Sequence, residues 1–326
     1  MPRSTSLLVI TPCRDEAAYA RATIASIVAQ SRTPTRWLVV DDGSTDGTSE
    51  MLAEAAGRLP WMRVLRREDR GRRSVGPGVV EAFYAGLAQE DLGAYDYVAK
   101  VDLDLELPPD YFRILLERME AEPRLGTCSG KPYERREDGR LVPEPCGDEM
   151  SVGMTKVWRT SCFRQIGGLV RGVMWDGIDC HRARMLGWIA RSWDEPELRF
   201  VHLRPMGSSH KGILTGRARH GRGQYFMGTG PLYMAASAVF RMRTAPVVVG
   251  GLAMGWGWLA AALGRAPRYD DPEFRVYLRS YQRACLLHGK RRATERFEAE
   301  RAASWDPARP GPPLPIQDAA GSGATP

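Results

Sequence analysis

The sequence lacks the short signatures of several common protein classes. Its six cysteines include no C-x-x-C pair, which argues against a zinc knuckle. It has no G-x-x-x-x-G-K-[S/T] loop, and no G-x-G-x-x-G follows its first apolar run, so P-loop and dinucleotide-binding proteins are disfavoured. That first run ends at Ile10, which is too short for a signal peptide, and we expect it to form a strand.

The chain also contains no asparagine, and most of its basic residues are arginine. The 326 residues are 43% hydrophobic and 26% charged, an ordinary globular composition that excludes disordered, collagen and coiled-coil classes. The net charge of +7 favours phosphate groups or an anionic membrane surface as partners, and we expect no nucleic acid. Without a disulfide framework, the cysteines are expected to be reduced thiols in a cytoplasm.

The first 130 residues alternate between strand and helix patterns. Each of four short apolar runs is followed by a helix-like apolar stripe, and the runs are residues 7–10, 37–40, 62–65 and 95–101. Such repeated βα units predict an α/β fold with a mostly parallel, doubly wound sheet. Ligands bind such sheets outside the carboxyl ends of the strands.

Acidic residues stand at two of those strand ends. Asp41 and Asp42 open the run DDGSTDGT after the second strand, and Asp102 and Asp104 follow the fourth. Buried carboxylates need cations or hydrogen-bond donors, and two carboxylates one residue apart can reach one hard cation. A turn with surface aspartates is the alternative for an isolated D-x-D, but here the motif follows a buried strand.

These runs resemble a known family. The segments TPCRDE at 11–16, VVDDGSTDGT at 39–48 and DLD at 102–104 resemble the family-2 glycosyltransferases of GT-A fold, over residues 6–205. The resemblance implies transfer of a sugar from a nucleotide-sugar donor, with inversion at the anomeric carbon. It also implies a divalent cation, Mg²⁺ or Mn²⁺.

The resemblance assigns roles to single residues. Asp41 would bind the nucleobase edge with Asp42 as its partner, which favours uracil and hence a UDP-sugar. Asp102 would contact the ribose or the metal, and Asp104 would ligate the metal. The loop around base and ribose would contain Thr11, Pro12 and Glu16; the family usually has asparagine where Asp15 stands.

The acceptor hydroxyl needs a general base, because inverting transfer is a single in-line displacement. The family supplies one from an acidic motif at a helix start, and here that place holds WDGID at 175–179. Asp176 fits best, although Trp175 replaces the usual glutamate. Asp179 is the alternative base, and either aspartate could instead only cap the helix.

Two further groups are candidates for the donor site. The last predicted strand covers residues 197–203, and His202 and His210 stand at its end and beyond it. By analogy with GT-A enzymes one of them would complete the metal shell, unless it is merely structural. Arg219 and Arg222 lie in a glycine-rich basic segment, predicted as a loop that closes over the diphosphate. A solvated linker is the alternative for that segment.

The C-terminal third differs in character. Residues 245–264 carry no charge, and residues 271–301 read as one basic amphipathic helix. Arginines at both ends of the uncharged segment argue against a simple span, so we expect an interfacial or re-entrant hairpin, with a buried core hairpin or a dimer interface as alternatives. The predicted division is a GT-A domain at 1–205, a helical extension at 206–305 and a disordered tail at 306–326.

The sequence therefore predicts a metal-dependent inverting glycosyltransferase at the cytoplasmic face of a membrane, acting on a glycan or lipid-linked acceptor. A polyprenyl-phosphate sugar synthase would share the same catalytic half. A non-enzyme alternative is a nucleotide-binding scaffold that has lost activity, although all three acidic motifs are intact.

Overall fold

The computed structural model describes residues 5–69, 71, 76–204, 212–244 and 246–316. It contains eleven strands, which in chain order are β1 Leu7–Cys13, β2 Arg36–Asp41, β3 Met62–Arg66, β4 Tyr97–Val101, β5 Leu105–Glu106, β6 Leu125–Ser129, β7 Lys131–Arg135, β8 Leu141–Pro143, β9 Thr155–Arg159, β10 Ile189–Ser192 and β11 Arg199–His202. Seven of them form the central sheet, in the order β10-β6-β9-β4-β1-β2-β3. All neighbours are parallel except β9, which runs antiparallel to both β4 and β6. The prediction of a mostly parallel sheet is therefore confirmed.

A second, four-stranded sheet has the order β5-β11-β7-β8. Strands β7 and β8 form an antiparallel hairpin, and β11 pairs parallel to β7. The sequence predicts residues 131–148 as an irregular polar excursion, so this hairpin was missed. The small sheet matters for function because β11 ends at His202, beside the loop that carries Asp104.

Helices cover both faces of the central sheet. Before residue 205 they are α1 Ala17–Val28, α2 Thr48–Arg58, α3 Pro77–Leu87, α4 Tyr111–Ala121, α5 Thr160–Gln165 and α6 Trp175–Met185. Alternate residues of β1 point to opposite sides, so Leu7 and Val9 join one core and Leu8 and Ile10 the other. Helices α1, α2 and α4 pack in the first core, whereas α3, α5 and α6 pack in the second.

The C-terminal part is helical. Its helices are α7 Ile213–Met227, α8 Pro231–Arg241, α9 Val249–Leu263, α10 Pro272–His288 and α11 Lys290–Ala302. The single helix predicted over 271–301 is wrong, because the chain breaks at Gly289, whose φ of +80° is a conformation that glycine adopts without strain. No helix in the described part of the chain is both long and apolar enough to cross a bilayer.

The segment from residue 306 to 316 packs onto the catalytic half. Its backbone accepts hydrogen bonds from Gln165 and Arg171, at 2.9 and 3.0 Å, and Leu314 and Ile316 contact the core under α3. The prediction of a disordered tail is therefore wrong for these residues, because two apolar side chains are enough to dock a segment rich in proline. Residues 317–326 lie outside the described chain.

Candidate active site

A cleft of about 390 Å³ opens at the carboxyl ends of β1 and β4. It lies where a doubly wound sheet is expected to bind its ligand. The titratable side chains that line it are Cys13, Arg14, Glu16, Asp42, Lys100, Asp102, Asp104, Asp176, His202 and Arg204. These come from five separate stretches of sequence, so the fold brings the distant acidic motifs together.

The loop after β1 is held to the loop after β2 by hydrogen bonds. Asp15 adopts a φ of 53°; its backbone N–H donates to the Ser44 hydroxyl at 2.9 Å, and its carboxylate accepts the Thr45 N–H. Pro12 and Glu16 line the cleft. Thr11 does not: it is fully buried, and its hydroxyl accepts the indole N–H of Trp37 at 2.9 Å.

Asp41 and Asp42 have different surroundings. Asp41 is fully buried; one of its carboxylate oxygens accepts the Ser44 N–H at 2.9 Å and the other accepts the Ser49 hydroxyl. Asp41 therefore shapes the turn and does not line the cleft. Asp42 lines the cleft and pairs with Arg67 at 2.7 Å. The sequence predicts Asp41 for the nucleobase contact, but of the two aspartates it is Asp42 that lines the cleft.

Asp102 is paired with a buried lysine. The ammonium of Lys100 donates to Asp102 and to the Gly153 carbonyl oxygen, the latter at 2.9 Å. Burial raises the pKa of the Asp102 carboxyl, and the nearby Asp104 adds to this effect, so the charge of Lys100 offsets only part of the shift. Lys100 was not singled out in the sequence, although a lysine inside an apolar strand is a visible signal.

Asp104 has two cationic neighbours. His202 lies 3.7 Å from its carboxylate and Arg204 lies 3.4 Å from it. Burial by itself would raise the pKa of Asp104. The hydrogen bond from His202 and the positive charges of His202 and Arg204 have the larger effect, so the pKa is lowered overall. Asp104 therefore stays ionised.

His202 is itself held between two carboxylates. Its Nδ1 lies 3.1 Å from Glu144, on the side of the ring away from Asp104. Burial lowers the pKa of His202, yet the hydrogen bonds and charges of Asp104 and Glu144 raise it overall to about 9. His210, the other predicted ligand, lies outside the described residues.

The residues around Asp104 fit a divalent cation. One carboxylate oxygen of Asp104, Oδ1, is buried in the cleft region and has no hydrogen-bond partner. Carboxylate oxygens with an imidazole nitrogen nearby are ligands that Mg²⁺ and Mn²⁺ accept. Among the described residues, however, no three acidic, histidine or cysteine side chains already form a metal-binding group.

Asp176 stands in the first turn of α6 and lines the same cleft. The chain enters this helix through Met174, which has a φ of 70°. The side chain of Asp176 packs against Gly153, where an added Cβ would lie 2.9 Å from the carboxylate oxygen. Its backbone carbonyl accepts a hydrogen bond from Lys156 at 2.8 Å. The carboxylate is thus held at the edge of the cleft.

Asp179, the alternative base, is placed elsewhere. It is 1% exposed, and its carboxylate accepts hydrogen bonds from Lys156 at 2.8 and 2.9 Å and from the Trp158 indole at 2.9 Å. Burial raises the pKa of Asp179, and Lys156 offsets part of that shift. Asp179 does not line the cleft, and its hydrogen bonds join α6 to β9.

The predicted basic loop is a helix. Arg219 and Arg222 lie within α7, and neither lines the cleft. Helix α7 instead packs on the segment before α6, because a Cβ on Gly223 would lie 2.6 Å from the Met174 side chain. The arginine that does reach the acidic cluster is Arg204, which also bonds Glu16 and was not predicted.

The chain is similar in sequence to a known family and to curated relatives. The model of the family described as Glycosyl transferase family 2 matches residues 8–173. The poly-beta-1,6-N-acetyl-D-glucosamine synthase of Staphylococcus aureus (strain COL) is 25% identical over 129 residues, 40% of this chain and 29% of that protein. The succinoglycan biosynthesis protein ExoA of Rhizobium meliloti (strain 1021) is 34% identical over 117 residues, 35% of this chain and 32% of that protein. The chain thus spans about a third of the length of the curated relatives it matches.

Among solved structures, the crystal structure of GalNAc-T7 with UDP, GalNAc and Mn²⁺ aligns with a TM-score of 0.52. The sequences are 12% identical, and the alignment covers 88% of this chain and 58% of that chain. At this identity the likeness concerns the fold alone.

Proposed function

Because the chain belongs to glycosyl transferase family 2 and has the GT-A fold that its motifs predict, we propose that it transfers a sugar from a nucleotide diphosphate donor. The acceptor is a hydroxyl of a glycan or of a lipid-linked sugar, and the transfer inverts the anomeric carbon. The observation that carries this proposal is the meeting of Asp42, Asp102, Asp104 and Asp176 in one cleft.

The donor end of the cleft is formed by the loops after β1, β2 and β4. Asp42 is the carboxylate that faces the nucleobase, and a carboxylate that accepts an imino N–H favours uracil, hence a UDP-sugar. Pro12 and Glu16 lie beside it and border the ribose. Arg204, between Glu16 and Asp104, is one of the cationic side chains of the cleft and would contact the diphosphate.

Asp102 and Asp104 would hold Mg²⁺ or Mn²⁺, with His202 as a third ligand after the cation displaces the proton that the two flanking carboxylates favour. When bound, the cation neutralises the charge of the leaving diphosphate. The unpartnered oxygen of Asp104 supports this assignment. Lys100 keeps Asp102 charge-compensated and fixes its orientation, since its ammonium also bonds the Gly153 carbonyl.

Asp176 is the general base. The acceptor oxygen attacks the anomeric carbon while the bond from that carbon to the diphosphate oxygen breaks, and the hydroxyl proton passes to the Asp176 carboxylate. Gly153 leaves room for this side chain, and Lys156 holds the backbone of its helix turn. The names of both relatives refer to polysaccharide assembly, which supports a sugar hydroxyl as acceptor.

A polyprenyl phosphate acceptor can be distinguished from a sugar acceptor, because the two differ in their need for a general base. A phosphate oxygen is already ionised near neutral pH, so it needs no general base. Transfer to a phosphate would survive Asp176→Asn, whereas transfer to a hydroxyl would not.

A panel of nucleotide sugars tests the proposal. We expect one UDP-sugar to raise the melting temperature with Mn²⁺ and to release UDP, because a ligand that binds only the folded state stabilises it. Asp42→Asn should weaken both effects, whereas Asp138→Asn, on the exposed hairpin, should not. If no donor raises the melting temperature or is hydrolysed, the chain is better explained as an inactive scaffold.

A further inference from the structure

Helix α9 carries an exposed stripe without a single polar side chain. Its five members follow a spacing of three or four residues, so they share one face of the helix. Their exposed fractions are 50% for Val249, 55% for Leu252, 63% for Trp256, 43% for Leu259 and 72% for Leu263. A surface helix normally places polar residues on this side, so the stripe needs a partner.

The opposite side of α9 is fixed by close packing. A Cβ on Gly257 would lie 2.0 Å from the Ala218 carbonyl of α7, and one on Gly251 would lie 2.4 Å from the Ala238 carbonyl of α8. Glycines are required at both contacts, since the backbones approach too closely for any side chain. The helix therefore cannot rotate to bury its apolar stripe within this chain.

Helix α8 and the turn after it extend the exposed surface. On α8, Leu232, Val239 and Phe240 are 76%, 58% and 66% exposed, and in the turn Val247 and Val248 are 62% and 49% exposed. We refer to these five residues and the stripe of α9 as the α8–α9 apolar face. Ten exposed apolar side chains on two helices packed against each other, and in the turn between them, indicate an interaction site.

The charge around this face has one sign. Residues 198–269 include ten of the 46 basic residues and none of the 39 acidic ones, so the remaining chain is slightly acidic. Arg241 and Arg243 precede α9, and Arg265 and Arg268 follow it. A protein partner matched to this surface would have to be both apolar and strongly acidic, whereas an anionic bilayer offers both properties together.

We propose that the α8–α9 apolar face docks on an anionic lipid bilayer, with α8 and α9 lying in the plane of the membrane. The 15 residues of α9 measure about 22 Å along the axis, short of a bilayer crossing. When the helix lies flat, the arginines at both of its ends meet the headgroups of one leaflet.

The docked orientation would bring the cleft to the membrane. Gly221 of α7 packs against the Met254 carbonyl of α9, and Gly223 packs against Met174, two residues before Asp176. Helix α7 thus joins the apolar face rigidly to the acceptor side of the cleft. This second step rests on the proposed function, but docking itself does not.

Flotation with lipid vesicles tests the docking. The full chain should float with vesicles of phosphatidylcholine and phosphatidylglycerol in 0.1 M NaCl, and much less with phosphatidylcholine alone or in 0.5 M NaCl. Trp256→Glu with Leu263→Glu should lower binding by about tenfold or more, from the loss of two inserted side chains. Val276→Glu with Leu287→Glu, on α10 at 69% and 77% exposure, is the matched control and should bind as the unchanged chain does.

Two further double variants separate the electrostatic contribution to membrane binding from the apolar one. Arg243→Gln with Arg265→Gln should reduce binding, while Arg291→Gln with Arg292→Gln on α11 should not. Equal loss in the test and control variants would overturn the proposal. So would the absence of flotation with anionic vesicles, or a lipid-free dimer that Trp256→Glu with Leu263→Glu converts to a monomer, because a second copy would then cover the face. Donor hydrolysis should be unchanged in all four variants, so a failure of docking is distinguishable from a failure of the proposed function.

Discussion

Lys100 and Lys156 lie directly opposite each other on β4 and β9, and both ammonium groups stand over the indole of Trp175. The distances to the ring centroid are 5.3 and 5.6 Å. Each lysine neutralises one aspartate, Lys100 on the donor side and Lys156 beneath the proposed base. The lysines that neutralise the aspartates at the two ends of the cleft therefore contact the same indole ring.

The buried pair beneath α6 gives a prediction about stability. Lys156→Met leaves the Asp179 carboxylate buried without its cation, so the free energy of unfolding should fall by about 3–5 kcal/mol. Urea unfolding measures this change. Lys156→Met combined with Asp179→Leu should recover most of the loss, because no buried charge then remains. A double variant as unstable as the single one would show that the pair itself contributes the stability.

Gly153 gives a prediction about positioning. Gly153→Ala places a methyl group 2.9 Å from the Asp176 carboxylate, so the base is displaced. We expect kcat for donor hydrolysis to fall by about tenfold to a hundredfold, with the KM for the donor nearly unchanged. Gly57→Ala is the control, because a Cβ there meets nothing within 4 Å and alanine favours the helix. If both variants had the same kinetics, Gly153 would have no role in positioning Asp176.

The divalent cation gives a third prediction. Removing metal with EDTA should abolish both donor hydrolysis and the thermal stabilisation by the donor, and Mn²⁺ should restore them. Asp104→Asn should prevent the restoration, because the unpartnered carboxylate oxygen is replaced by a weaker ligand or a donor. Calorimetric titration of Mn²⁺ in the presence of UDP reports the same loss without depending on turnover. Undiminished Mn²⁺ binding by Asp104→Asn would contradict the metal assignment.

His220 of α7 gives a prediction about pH. Burial, with a smaller effect from the charge of Arg241, lowers the pKa of this histidine to about 4, although Asp176 opposes the shift. The unfolded chain takes up this proton near pH 6.5, so the contribution to stability is present above pH 6.5 and is lost as the pH falls toward 4. Because His220 is half-buried, we expect a loss of about 2 kcal/mol over this range.

Urea unfolding at pH 7, 6, 5 and 4 measures the contribution of His220. His220→Gln should show a shallower decline than the unchanged protein over this window. The carboxylates and His181 titrate in both proteins, so the difference between the two curves isolates His220. Parallel curves would mean that the ring is not held neutral in the folded chain.

Much of the catalytic half was predictable because its signals are local. The strands β1 to β4 are apolar runs followed by amphipathic helices, and the runs DDGSTDGT and DLD mark two strand ends. Strand β9, which contains Lys156 and Arg159, was missed. Its burial depends on Asp179, which is distant in sequence, and on an antiparallel insertion between β4 and β6.

The orientation of single side chains was harder to predict. Asp41 and Asp42 are neighbours, so the sequence pattern cannot say which one faces the cleft; the hydrogen bonds from Ser44 and Ser49 decide it. Four glycines suggested a loop at α7, yet two of them, Gly221 and Gly223, allow close packing of a helix. In both cases the orientation depends on contacts that the local sequence pattern does not reveal.

The central claim is that Asp104 and Asp176 serve opposite ends of one cleft. Binding of UDP with Mn²⁺ and release of UDP from the donor, measured side by side for Asp104→Asn and Asp176→Asn, test it most directly. The account predicts that Asp176→Asn binds UDP as the unchanged protein does but turns over about a hundredfold or more slowly, while Asp104→Asn loses binding. Full turnover by Asp176→Asn, or equal loss of UDP binding in both variants, would contradict it.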